Sequence, residues 1–378
     1  MSEDQHADVV HLSSVHPWTD NRIAYRECAS LAEAGYRVAL VAVQTDVPDS
    51  PRPVWVIEVP EERRAKRVIV STVRVLTAAL RTNARVFHLH DPELVWTVPV
   101  LRLLGRHVIY DAHEDLPAQV LNKPYATSRP LKVALKLTAF AVIAVARMSS
   151  HIIAATETIA ARFPSRKTSI VHNYPPLREE EAHAKRVSDR AASVVYVGGI
   201  SEGRGALTMI DAAGSGKFPN GWILSLAGRM SEDLKENLAG TPGWQHVQYK
   251  GQVPSDEARQ IVLDARVGLL LFSDTAAHRA ALPTKMFEYF AAGVPVIASD
   301  FPLWREIITS SDCGVVVDPN SPEQAAEALK RYAESPELLE RHSRNARRLA
   351  LSRFNWSSEA AALVAVYRKI LREQTSAP

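Results

Sequence analysis

Short aliphatic and β-branched runs recur along the chain, each separated from the next by a helix-length segment. In the first half they fall at residues 8–14 (DVVHLSS), 37–43, 54–59, 85–90 (RVFHLH), 107–111 (HVIYD), 151–155 and 169–171. Runs of this kind, spaced by helices, predict a parallel sheet covered on both faces. The second half repeats the pattern at 194–197, 223–227, 246–249, 267–272, 294–298 and 314–317. The stretch 282–300 (LPTKMFEYFAAGVPVIASD) illustrates the repeating unit. Pro283 suits the first turn of a helix, where its missing N–H costs nothing. Residues 284–292 are good helix formers, Gly293 suits a left-handed C-terminal cap, and 294–298 form a buried strand. Asp20 is placed to cap a helix over 21–34 that Gly35 closes. The expectation is an α/β protein of two Rossmann-like, doubly wound domains: residues 1–175 and 190–355. The proline-containing, highly charged stretch 176–189 between them reads as a linker.

Composition bounds this picture without changing it. The 378 residues are too many for one ordinary core, and 46% hydrophobic with 23% charged is ordinary for a soluble protein. A net charge of +3 does not suggest nucleic acid. The two cysteines, Cys28 and Cys313, form no disulfide framework and no metal-ligand spacing; both read as small core residues. The N-terminus MSEDQHADVV has no secretory character, and no stretch reaches the roughly 18 apolar residues of a membrane span, so the expected location is cytoplasmic. Residues 133–148 (VALKLTAFAVIAVARM) read as a buried amphipathic helix. Membrane-surface contact is the second reading. In 61–81, Arg63, Arg67, Arg74 and Arg81 recur at near-helical spacing. They form either a solvated face or a surface for an anionic or lipid-linked acceptor.

In doubly wound sheets ligands bind beyond the carboxyl ends of the strands, so residues there are the candidates. The turn GGISEGRG holds Gly198, Gly199, Gly203 and Gly205 between a strand and a helix. It suits close backbone approach to a phosphate, with Arg204 as donor, though it is neither a dinucleotide fingerprint nor a P-loop. Gly228 and Arg229 follow another strand. Pro283, Thr284, Lys285, Met286 and Glu288 sit at a helix start; Lys285 can neutralise a phosphate, and Glu288 can accept from a ribose diol or lie on a solvated face. In the first half, His16, Asp20, Asn21, Asp91, His113 and Glu114 occupy the equivalent edge. His113 can act as a proton partner. Asp91 and His113 can alternatively cap the helices that follow them. No HExxH or CxxC is present, and no metal site is expected.

Taken together, DNRIAYRECASLAEAGYRVAL, HLHDPEL, VIYDAHED, YVGGISEGRGALTMIDAA, PTKMFEYFAAGVPVIASDFPLW, CGVVVDP and FNWSSEAAALVAVYRKIL make the chain resemble the retaining family-4 glycosyltransferases of the GT-B fold (glycosyl transferases group 1). The resemblance runs over nearly the whole length. It implies two Rossmann-like domains facing across a cleft, with the last helix, 357–378, crossing back to the first domain. It implies a nucleotide-sugar donor, UDP-linked in the first instance, in the second domain. The acceptor, a glycan, lipid-linked or small molecule, is expected in the first domain, at His16, Asp20, Asn21, Asp91 and Glu114. The family's diphosphate-binding arginine falls at Gly199 and its lysine at Arg204. Glu288 matches the ribose-holding glutamate, and His113 the histidine near the reacting centre. The family's other glutamate falls at Ala280, a departure that amides of 281–286 could compensate. No cofactor or metal is implied, and peripheral contact with the inner face of a membrane through the first domain is a further expectation. A nucleotide-sugar epimerase or phosphorylase and a catalytically silent relative are the alternatives.

Overall fold

The computed structural model describes residues 6–45, 52–62, 67–113, 115–117, 128–178, 181 and 185–372. The chain divides into two units, residues 1–173 with 356–378, and residues 174–355.

The first unit is built on a parallel seven-stranded sheet: β1 (Val9–Pro17), β2 (Val38–Val43), β3 (Trp55–Val59), β4 (Val86–Leu89), β5 (His107–Ala112), β6 (His151–Ala154) and β7 (Thr168–Ile170). Their order is β3-β2-β1-β4-β5-β6-β7, so the direction of winding reverses between β1 and β4. Period-two alternation sorts the side chains. Val10, Leu12, Phe87, Leu89, Val108 and Tyr110 face one core, completed by α2 (Thr72–Arg81), α3 (Val98–Leu103) and α4 (Arg129–Ala146). Val9, Val86 and Ile109 face the other, with α1 (Ala29–Glu33) and the C-terminal helix Trp356–Arg372. That helix is held by burial of Trp356, Leu363, Val364, Val366, Tyr367 and Ile370. Each such side chain contributes roughly 1.5–3 kcal/mol. The Trp356 Nε1–H donates to Ser30 Oγ at 2.8 Å, and Glu359 accepts from the His172 N–H at 2.7 Å. The last helix does return to the first unit, as the family resemblance implies.

Two local expectations change. The helix expected over 21–34 begins with a π-helical turn, Ile23–Cys28, in which the Glu27 N–H bonds to the Arg22 carbonyl. The five-residue step sets Arg22 and Glu27 on one face, which an α-helix would not. Asp20 caps it as expected, its Oδ1 accepting from the N–H groups of Arg22 and Ile23 at 2.9 Å each. The helix read as buried at 133–148 is α4, and only Ala139, Val142, Ile143 and Ala146 are buried. Leu131, Val133, Leu137 and Phe140 are exposed. Arg74 and Arg81 lie on an exposed face of α2, Arg74 pairing with Glu62; Arg63 lies outside the described residues. Among the described residues no helix is long and apolar enough to cross a membrane.

The second unit holds a six-stranded parallel sheet, β8 (Ser193–Val197), β9 (Ile223–Ala227), β10 (Val247–Tyr249), β11 (Val267–Leu270), β12 (Val296–Ser299) and β13 (Gly314–Val317), ordered β10-β9-β8-β11-β12-β13. Its reversal point lies between β8 and β11. Helices α6 (Ala206–Gly214), α7 (Glu232–Ala239), α8 (Ser255–Leu263), α9 (Ala276–Ala280), α10 (Thr284–Ala291), α11 (Pro302–Ser310), α12 (Pro322–Glu334) and α13 (Pro336–Ser352) complete it; α5 (Glu157–Ala160) belongs to the first unit. The stretch read as a linker behaves differently. Tyr174 packs edge-on against Phe287 and Phe354, Val187 is in the core, Glu181 accepts from Arg259 and Arg347, and Ser188 bonds Glu340. The described residues of 176–189 are therefore packed onto the second unit. Of the charges that suggested a solvated tether, Arg178 pairs with Asp256, Glu181 with Arg259 and Arg347, and Arg186 with Glu340.

Candidate functional site

In the second unit the carboxyl ends of β8 and β11 carry the glycine-rich turn and the start of α10. Gly198 ends β8 at φ +127°, and Gly228 ends β9 at φ +140°, values that L-residues rarely adopt. A Cβ on Gly228 would strike the Gly198 carbonyl, and one on Gly205 the Leu271 carbonyl. These three glycines let β8, β9 and β11 converge. A Cβ on Gly198 would instead strike Cε and Nζ of Lys285, closer than 3.0 Å. Lys285 thus lies directly over the Gly198 backbone, its Nζ also 5.7 Å from the centre of the Tyr196 ring.

The Gly199 carbonyl accepts from the Tyr196 hydroxyl at 3.1 Å and from Arg204 Nη1 at 3.2 Å. Arg204 is otherwise exposed, at the mouth of the turn. The turn is also tied to the residues after β11: the Ser273 hydroxyl and N–H both donate to the Gly203 carbonyl, at 2.9 and 3.1 Å. Burial, reinforced by the nearby Arg204 charge, pulls the Lys285 ammonium below the usual lysine range, against a smaller opposing effect of Glu288. Burial pushes the Tyr196 phenol up to about 12 despite Arg204. Two cationic side chains are therefore held together with less negative charge nearby than they could neutralise.

Helix ends add to this field. Neither α6, with Gly205 at its N-cap, nor α10, with Pro283 there, receives a side-chain cap bond. Their first turns present N–H groups and the positive end of the helix dipole. Pro283 is the extended residue before α10 rather than its first helical residue. Thr284 and Lys285 open the helix, Met286 is buried, and Glu288 is half-buried one turn along from Lys285. Gly293 closes the helix at φ +63°, as its position predicted. Ala280, at the family's acidic position, is exposed at the end of α9. Of the amides expected to compensate for it, Ala281 and Met286 are bonded to His278 and Pro283 carbonyls, and Pro283 has none. Only Leu282, Thr284 and Lys285 are left for that role. Arg229 is exposed, and its carbonyl, not its guanidinium, joins the turn by accepting from the Ile200 N–H at 2.8 Å.

In the first unit the equivalent edge gathers His16, Asp20, Asp91 and His113. His16 has Nδ1 3.6 Å from Asp20 Oδ2 and Nε2 3.4 Å from Asp91 Oδ1, and its ring meets His113 edge-on at 5.6 Å. Asp91 does not cap the helix after it. Its Oδ2 accepts from Ser13 Oγ and from the N–H groups of Ser14 and Val15, at 2.9, 2.6 and 3.2 Å. It clamps the end of β1 to the end of β4, so Oδ1 alone is directed toward His16. Asn21 is exposed beside this set, and Glu114 lies outside the described residues.

Behind His113 is a residue the sequence reading did not single out. Asp111 Oδ2 lies 3.6 Å from His113 Nδ1, an ion-pair distance rather than a hydrogen bond. Asp111 is gripped by Arg22, Nε to Oδ2 at 3.0 Å and Nη2 to Oδ1 at 2.9 Å. Arg22 also donates to the Val171 carbonyl. Burial alone would raise the Asp111 carboxyl, but Arg22 and the neighbouring histidines hold it well below the usual range. Burial alone would lower His113, and the Asp111 carboxylate outweighs it, so the imidazole lies above its ordinary value. A histidine whose pKa is raised in this way, at the end of β5, can donate a proton or bind an anion. Arg22 lies in a quoted motif without a role read for it; the structure turns it inward onto Asp111.

Residues 178–349 match the family model described as "Glycosyl transferases group 1". A Bacillus subtilis protein named "Putative glycosyltransferase YtcC" is 24% identical over 241 residues, 57% of this chain and 58% of that protein. The chain thus spans less than two thirds of that relative's length. Among solved structures, a sucrose-phosphate synthase from Thermosynechococcus elongatus superimposes with a TM-score of 0.73 at 17% identity, covering 97% of this chain and 99% of that one. Anabaena Alr3699/HepE in complex with UDP-glucose does so with a TM-score of 0.70 at 12% identity, covering 96% and 100%. These likenesses establish the fold, and the family match falls on the unit that carries Gly198, Arg204, Lys285 and Glu288. The chain has the two Rossmann-like α/β domains of the GT-B fold, and its residues 178–349 are similar to glycosyl transferases group 1 domains.

Proposed function

We propose that this protein is a retaining glycosyltransferase that moves a hexose-type sugar from a nucleoside-diphosphate sugar, UDP-linked in the first instance, to a glycan, lipid-linked or small-molecule acceptor in cell-surface polysaccharide or glycoconjugate synthesis. The observation that carries this reading is the pairing of Lys285, laid over Gly198, with Arg204 at the reversal point of the second sheet, inside the matched domain. In this reading the first turns of α6 and α10, with Lys285 and Arg204, receive the diphosphate. Negative charge builds on the β-phosphate as the sugar–oxygen bond breaks, and these groups stabilise it more in the transition state than in the ground state. Side chains and helix ends supply the positive charge, so this step needs no resident metal. Glu288 accepts from the ribose hydroxyls. In the first unit, His113, its pKa raised by Asp111, and His16, Asp20, Asn21, Asp91 and Glu114 serve the acceptor side. Retention follows if the leaving phosphate takes the acceptor's proton on the face it departs from, which needs no protein nucleophile.

The helices of the first unit support a lipid surface as the acceptor's setting. Ile69, Val73, Leu103, Leu137 and Phe140 are exposed, as are the cations Arg74, Arg81, Lys132 and Lys136. Such a mixture suits the interface of an anionic bilayer.

The test is a panel of UDP-, GDP- and dTDP-sugars, scored by thermal shift and by donor hydrolysis or transfer. One donor class is expected to bind and turn over, more slowly in Lys285→Ala and Arg204→Ala by at least tenfold. Binding with no turnover on any acceptor would favour a silent relative, the reading that Ala280 invites. No binding of any nucleotide would refute the donor site itself.

A further inference from the structure

The first unit contains a cluster that the proposed chemistry does not use. In the parallel pairing of β1 with β4, His11 stands opposite His88. His90, two residues on, shares His88's face of the sheet. The π-helical turn lays Glu27 over them. All four residues are fully buried, and one ligand atom from each lies within 4.8 Å of all the others.

We infer that His11, Glu27, His88 and His90 form a closed binding site for a single zinc-class divalent cation, which fastens β1, β4 and the π-helical turn together. Three imidazoles and one carboxylate are a complete four-ligand set for such an ion, with no position left open for substrate. In His90 and His11 the ring nitrogens are already divided into held and offered ones, while His88 turns Nδ1 toward Glu27 Oε2 at 3.8 Å. His90 Nδ1 lies 3.1 Å from Asp111 Oδ2, so its Nε2 is offered, 2.9 Å from His11 Nδ1. The Tyr367 hydroxyl, on the C-terminal helix, lies 2.6 Å from His88 Nδ1 and 3.2 Å from His11 Nε2. Carboxylate or hydroxyl contact on the far nitrogen is the outer support that fixes metal-binding imidazoles.

Two further observations point to a cation ligand. Among the described residues, neither carboxylate oxygen of Glu27 nor Nε2 of His88 has a hydrogen-bond partner, although all three atoms are buried. Arg22 Nε is 2.9 Å from Glu27 Oε1, but its N–H is directed to Asp111. The two buried carboxylates, Glu27 and Asp111, therefore face one guanidinium. An uncompensated carboxylate in such a place is costly, and it must take either a proton or a cation.

Because the site has no opening, the cation is expected to enter as the unit folds. The test is to unfold the full chain in denaturant with a chelator and refold it with zinc chloride, with cobalt(II) chloride, or with chelator alone. Gel filtration and elemental analysis follow. Expected are one retained zinc per chain, a thermal midpoint roughly 5 °C or more above the metal-free protein, and a tetrahedral visible spectrum for cobalt. His90→Gln and Glu27→Gln should each lose the retained metal. No retained zinc together with identical midpoints would overturn the inference, and a proton on Glu27 would then balance the charge. Equal retention by wild type and both variants would overturn it too, by placing the zinc elsewhere. Should the variants fail to fold, the cobalt spectrum of the wild type decides: an octahedral or absent signal refutes the site.

Discussion

Gly198→Ala should weaken nucleotide binding without contacting the nucleotide. The backbone there has φ +127°, so any L-residue is strained, at a cost of roughly 1–3 kcal/mol. The new Cβ would also fall closer than 3.0 Å to Cε and Nζ of Lys285. Those atoms are the far end of a flexible side chain, so Lys285 moves and the backbone stays. A charge-assisted contact from its ammonium to a phosphate contributes about 1.5–3 kcal/mol. Losing it corresponds to about 10- to 150-fold weaker binding. The assay is titration calorimetry of UDP with wild type, Gly198→Ala, Lys285→Met and the double variant at one ionic strength. If glycine acts through the lysine, the double variant binds little worse than Lys285→Met alone, and the cycle shows a coupling of about 1.5 kcal/mol or more. Strictly additive losses, or unchanged affinity in Gly198→Ala, would refute the reasoning. Gly228→Ala is the contrast: its Cβ meets the Gly198 carbonyl, which is backbone and cannot yield. It should destabilise the second unit as a whole.

Four further outcomes are expected. Arg22→Met leaves Asp111 and Glu27 buried without their cation, and should cost the first unit about 3–5 kcal/mol; hydrogen exchange in β1, β4 and β5 reads this, and a loss below about 1 kcal/mol would show the pair to be dispensable. His113 should titrate above its ordinary value of 6.5, since Asp111 outweighs burial and the nearby Arg22 charge. Its contribution to stability is then fully present below pH 6.5 and is lost as pH rises through the folded-state value; an NMR midpoint below 6.5, or one unmoved by Asp111→Asn, contradicts this. Glu288→Gln should weaken UDP binding by roughly 5- to 30-fold and have little effect on a nucleotide lacking the ribose hydroxyls; equal effects on both return Glu288 to a general electrostatic role. UDP affinity should fall as pH rises toward the depressed Lys285 value, a slope that Lys285→Met abolishes; a slope persisting in that variant assigns the titration to another group.

Much of the arrangement around the glycine turn of the second unit could be read from local signals. Gly293 announces a left-handed helix end because only glycine takes such angles freely, and the structure has it at φ +63°. The fold class follows from aliphatic runs at helix-length spacing. The ends of elements follow less closely, because they depend on neighbours. Residues 294 and 295 do not join β12, which begins at Val296 where pairing with β13 starts. The charged stretch after 173 looked like a tether because its partners, Arg259, Glu340 and Arg347, are distant in sequence. For the same reason the sequence did not show how narrow the buried face of the amphipathic α4 is: its hydrophobicity is a property of the segment, whereas its burial depends on what is packed against it.

The sequence alone therefore determined the two parallel sheets, the glycine turn and the helix start that bears Lys285 and Glu288, since each depends on residues close together in the chain. Tertiary structure alone decided which charges meet. It set Lys285 on Gly198, put Asp111 and Arg22 behind His113, and used Asp91 as a clamp on the end of β1. It also brought His11, Glu27, His88 and His90 into one buried cluster. Those contacts arise from strand register, sheet order and a π-helical turn, and no spacing along the chain encodes them.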